Sequence, residues 1–78
     1  MRERKRRLVV TFHSTAEAMA FESLVKTEQL PGRLIPVPAS IRAGCGLAFM
    51  ASADEAEQVI SFINQSGISY EAIRNHDL

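Results

Sequence analysis

Leu8-Val9-Val10-Thr11-Phe12-His13-Ser14-Thr15-Ala16-Glu17 decides the fold, because it runs a strand directly into a helix start. Leu8 to His13 is rich in β-branched and aromatic side chains, which suit a pleated, half-buried surface. Ser14 followed three residues later by Glu17 has capping-box spacing: the hydroxyl takes a free backbone N–H of the first turn, and the carboxylate reaches back. Ala16, Ala20, Phe21, Leu24 and Val25 then form a broad apolar face at helical spacing, with Glu22 and Lys26 opposite it as an i,i+4 pair. Pro31-Gly32 is expected to stop this helix.

The same order returns later in the chain. Leu47 to Ala51 reads as an apolar strand, and Ser52-Ala53-Asp54-Glu55 repeats the capping box. Ala56, Val59, Ile60 and Ile63 give the i, i+3, i+4, i+7 signature of an amphipathic helix, and Gly67 suits the left-handed residue after its end. Each half closes with a further strand, Arg33 to Val37 and Ile68 to Ile73, and Pro38 to Gly46 joins the halves. Pro36 cannot donate to a sheet ladder, so its strand belongs at an edge.

Two right-handed strand–helix–strand halves of this length interleave most economically as a four-stranded antiparallel sheet with both helices on one face. The expected fold is therefore α+β, a ferredoxin-like βαββαβ with strand order 4-1-3-2, which puts the Pro36 strand at an edge. The expected organisation is a basic flexible arm over residues 1–7, a single domain over 8–74 and a loose C-terminus over 75–78.

Composition narrows the function classes. Seventy-eight residues, 46% of them hydrophobic, make one small globular domain. No apolar run approaches the roughly 18 residues of a membrane span, and the short run after the basic start lacks the length and cleavage site of a signal peptide. One cysteine excludes an internal disulfide and fits a reducing, cytoplasmic setting. The zero net charge hides an asymmetry: Arg2, Arg4, Lys5, Arg6 and Arg7 lead a body that carries four basic against eight acidic residues. Such an arm can reach an anionic partner, although a solvated terminus is the simpler expectation.

Cys45 lies between Gly44 and Gly46, which remove shielding side chains and permit positive φ. In the expected topology the loop before the third strand shares a sheet end with His13, Ser14 and Thr15. A helix N-terminus carries about half a positive charge and stabilises a nearby thiolate; protonated His13 and Arg42 act in the same sense. The candidate site is thus an exposed Cys45 supported by Gly44, Gly46, His13, Ser14 and Arg42. The basic arm and His76 project from the opposite end. Each residue also has a structural reading: Cys45 as a small core hydrophobe, His13 as a filler of the strand–helix junction, Arg42 as a solvated loop charge.

Arg33-Leu34-Ile35-Pro36-Val37-Pro38 followed by Gly44-Cys45-Gly46-Leu47-Ala48-Phe49 resembles a family of small bacterial selenium/sulfur carrier-like proteins, as does Val9-Val10-Thr11-Phe12-His13-Ser14-Thr15 with its helix. The resemblance runs from Leu8 to Ile73, and the basic arm departs from the family pattern. It implies that Cys45 carries sulfur or selenium as a persulfide or selenopersulfide between a donor enzyme and an acceptor protein, with no turnover of its own. That exchange favours an accessible thiol whose pKa lies near ambient pH.

Other classes fit less well. The chain ends Asn75-His76-Asp77-Leu78 and lacks the Gly-Gly terminus of ubiquitin-like sulfur carriers. Thioredoxin-like proteins and ferredoxin-like copper chaperones need Cys-x-x-Cys, which is absent. One cysteine and two distant histidines make a poor metal site, so neither metal nor cofactor is expected. An RNA-recognition module would need aromatics where Cys45 and Leu47 stand, so nucleic-acid binding is disfavoured. The alternative to a carrier is an interaction or regulatory module without cysteine chemistry. Exposed edge strands also allow a homodimer through a sheet edge.

Overall fold

The computed structural model describes residues 5–38, 41 and 45–77. The chain runs β1 (Arg6–Thr11), α1 (Thr15–Glu28), β2 (Arg33–Pro36), β3 (Leu47–Ser52), a 3-10 turn (Ala53–Glu55), α2 (Ala56–Ser66) and β4 (Ala72–Asp77). The four strands form one antiparallel sheet in the order β2-β3-β1-β4, the expected 4-1-3-2 read from its other edge. Pro36 lies on edge strand β2, opposite Leu47, where its missing N–H costs no ladder bond on the open side.

Register explains the core. Ile73, Val10, Phe49 and Leu34 stand in one row across all four strands, on the face that meets the helices. Phe21 of α1 plugs this layer: its ring meets Phe49 edge-on at 4.8 Å and also touches Phe12 and Phe62. Val59 and Ile63 bring α2 into the same cluster, as their spacing predicts. A smaller cluster of Val9, Ile41 and Ala48, flanked by Ile35 and Val37, lies on the other face, where Ile41 folds back over the sheet.

The first helix starts where Ser14 predicts, whereas Ser52 precedes a 3-10 turn and α2 begins only at Ala56. Ser14 Oγ accepts the Glu17 N–H at 3.2 Å, while Glu17 Oε1 accepts the His13 N–H at 2.8 Å, one residue before the cap. Spending that N–H locally helps end β1 at Thr11 instead of His13. At the second start the Ser52 hydroxyl donates to Glu55 Oε1 at 2.8 Å, and a 3-10 turn precedes α2. Gly67 closes α2 in the left-handed conformation, its N–H bonded to Ile63 O.

Several boundaries differ from expectation. The fourth strand is Ala72–Asp77 instead of Ile68 to Ile73. β4 pairs only with β1, whose last residue, Thr11, faces Ala72, so Ile68 to Tyr70 have no strand to join and instead pack Ile68 and Tyr70 on the core. Asn75 to Asp77 consequently belong to the sheet, not to a loose end, and Arg6 and Arg7, expected in the arm, pair with Asp77 and His76. Residues 1–4 and 78 lie outside the described residues.

α1 ends before Pro31-Gly32 because Gln29 takes the left-handed conformation, and Leu30 N–H then bonds Val25 O at 3.0 Å. Its buried stripe is Ala18, Phe21 and Val25, whereas Ala16 and Ala20 are exposed and Leu24 is 38% exposed. The expected Glu22–Lys26 pair does not form: the one contact within salt-bridge distance among the described residues is His13–Glu17, ionic only when the imidazole is protonated.

Candidate functional site

Cys45 lies in the turn that feeds β3, closed by a bond from the Val37 N–H to the Gly46 carbonyl at 3.0 Å. Gly46 has a φ of 76°, which other residues rarely adopt, and among the described residues nothing beyond its chain neighbours lies within 4 Å of where a Cβ would project. The turn is therefore open on that side. Cys45 is half-buried, where an exposed residue was expected, because its side chain packs against the main core cluster.

The sulfur is held by one residue. Cys45 Sγ donates to the Leu47 carbonyl at 3.2 Å and accepts the Leu47 N–H at 3.4 Å. Deprotonation removes the first bond and leaves the Leu47 N–H as the polar partner of the thiolate. Cys45 is a free cysteine, and no cluster of metal-ligating side chains exists among the described residues.

His13 and Ser14 stand at the same end of the sheet as the turn, since Thr11 pairs with Ala48, three residues after Cys45. Their hydrogen bonds, however, go to Glu17 and not to the sulfur. His13 Nδ1 is 3.3 Å from Glu17 Oε1. The Ser69 hydroxyl, then the His13 backbone N–H, hold the Glu17 carboxyl below its ordinary value. Glu17 thus serves the start of α1 twice, through its carboxylate to the His13 N–H and through its own N–H to Ser14 Oγ. Gly44 and Arg42, the other expected supports, lie outside the described residues.

His76 pairs with Arg7 at the far end of β1, as its exclusion from the thiol site requires. No helix among the described residues is long and apolar enough to cross a membrane.

Residues 7–74 match the sequence model of a family described as "Putative Se/S carrier protein-like". That span includes both halves of the fold and the Cys45 turn. No curated protein and no solved structure matched the chain.

Proposed function

We propose, on the premise that the chain belongs to the Se/S carrier protein-like family, that Cys45 is the atom-carrying residue. The observation that carries this reading is the chain's single thiol, in a turn where, among the described residues, nothing crowds the Gly46 side. In the proposed cycle the Cys45 thiolate attacks the outer sulfur of a donor persulfide, R–S–SH. The donor S–S bond breaks, R–S⁻ leaves with the electron pair, and Cys45–S–SH forms without net oxidation. An acceptor thiolate then attacks the outer sulfur and displaces the Cys45 thiolate, which the Leu47 N–H is placed to receive. A selenium atom follows the same path.

On this reading the protein is a relay without turnover of its own, working in the reducing cytoplasm between a donor enzyme and an acceptor protein. His13 and Ser14 shape the neighbouring helix start and do not contact the sulfur. Labelled sulfur offered on a cysteine desulfurase should add the mass of one sulfur to the wild type, removable by dithiothreitol, and nothing to Cys45→Ala. An unloaded wild type, together with an intact cellular pathway in a Cys45→Ala strain, would leave the half-buried thiol as a core filler and favour the interaction module.

A further inference from the structure

Charge is segregated across the thickness of the molecule. Six of the eight acidic residues after position 7 lie on helical elements (Glu17, Glu22, Glu28, Asp54, Glu55 and Glu57), where Lys26 is the only base. The sheet face turned from the helices is the reverse. Register sets Arg74, Val9, Met50 and Arg33 in one row across the sheet, and His76, Arg7 and Ser52 in the next. Three inter-strand spacings separate Arg74 from Arg33, about 14 Å.

This face is also grooved. A cavity of about 400 Å³ runs over β1 and β4, floored by Val9, Thr11 and Ile41 and walled by Glu71, Arg74 and His76. A second, of about 280 Å³, lies where β3 leaves the sheet, with Arg7, Arg33 and Met50 of this face beside Ala51 of the helix-side core and Glu55 of the 3-10 turn. Neither acid stands within salt-bridge distance of these arginines. Glu55 is bonded to Ser52, Glu71 stands at the rim, and none of Arg7, Arg33 and Arg74 forms an ion pair among the described residues.

We propose that this face docks an acidic segment of the carrier's protein partner, with carboxylates on Arg33 and Arg74 and apolar side chains over Val9, Ile41 and Met50. The identity of that partner as donor or acceptor rests on the carrier reading; the docking itself does not. The planar guanidinium fork matches a carboxylate, and the apolar centre of the row suits a segment that mixes aliphatic with acidic residues. Ile41 belongs to the same β2–β3 connection as Cys45, so a segment held here approaches the loop that carries the thiol. Nucleic acid fits less well. Phe12, Phe21 and Phe49 are fully buried and Phe62 and Tyr70 pack on the helix-side core, so the His76 imidazole is the one aromatic ring that the described residues offer on this face for base stacking.

The test is a titration of the intact protein with a fluorescent peptide of alternating Glu and Leu, followed by fluorescence anisotropy and by backbone amide shifts. Shifts on Val9, Met50 and Arg74, with affinity falling roughly tenfold or more in Arg33→Glu/Arg74→Glu, support the proposal. Lys26→Glu on the helical layer should change little. The milder Arg33→Gln/Arg74→Gln pair serves if charge reversal impairs folding. Equal affinity in these variants, or shifts confined to residues 5–7, would overturn the proposal. So would tighter binding of poly(U) or phosphatidylserine vesicles at the same salt, or self-association of the protein through this face. Sulfur loading of Cys45 from inorganic polysulfide, measured in the same variants, reports on the carrier reading separately. A chain that fails to load yet binds the peptide keeps the docking face and loses the relay.

Discussion

Glu17 Oε1 accepts the backbone N–H of His13 at 2.8 Å, tying the helix start to the residue that leaves β1. With the Ser69 hydroxyl contributing most, this bonding lowers the carboxyl below its ordinary value of 4.5. A group whose folded pKa is depressed stabilises the fold above its unfolded pKa, and that contribution is lost as pH falls through the folded value. Urea midpoints should therefore drop on acidification below about 4.5 more steeply for the wild type than for Glu17→Gln. Parallel curves would show that Glu17 takes no part in acid stability.

Gly32 leaves no room for a side chain. A Cβ there would stand 2.5 Å from Phe49 Cζ and 2.7 Å from the Met50 carbonyl oxygen, at a φ of 112°. Gly32→Ala should cost on the order of 3 kcal/mol, combining overpacking with backbone strain. Gly67→Ala meets only the left-handed backbone term in open space and should cost about 1 kcal/mol. Chemical denaturation of both variants checks the order; equal losses would mean that Phe49 yields freely.

Phe21 touches three other rings and is fully buried. Phe21→Ala should lose about 3–5 kcal/mol, enough to threaten the fold of so small a domain. Phe21→Leu, which refills most of the volume, should retain a cooperative transition by circular dichroism.

Ser14 and Ser52 look alike in sequence and differ in use. Ser14→Ala removes an acceptor for a helix N–H and should cost about 1 kcal/mol. Ser52 Oγ donates to Glu55, so Ser52→Ala should be partly rescued by Glu55→Gln, which needs no donor to offset a charge. A double-mutant cycle measures that coupling. Additive losses would mean that the Ser52–Glu55 bond adds nothing to stability.

Helix starts were legible because a Ser and a Glu three residues apart act on their own local backbone. Strand order was legible because two right-handed strand–helix–strand halves interleave in one economical way, and that way gives Pro36 the edge it needs. The extent of β4 was not: Ile68 to Ile73 reads as well as Ala72 to Asp77, and only the end of β1 at Thr11 decides between them. α1 misleads similarly, since Ala16 and Ala20 count as apolar yet need no burial, and Ala18 sets the true stripe. Gln29 in a left-handed conformation carries no glycine to announce it. At the site, Gly46 takes the positive φ that glycine permits, while the burial of the Cys45 side chain depends on packing that local sequence does not encode. The arginine row needed the register of all four strands.

The chain is electrically neutral overall, yet no approaching molecule meets a neutral protein. Its thinnest dimension is 17 Å, about twice the distance over which physiological salt extinguishes a charge, roughly 8 Å. The sheet side therefore presents itself as a cation and the helix side as an anion, each largely hidden from the other. Collisions are oriented before any contact forms, and titrating salt should alter which side is met as well as how often.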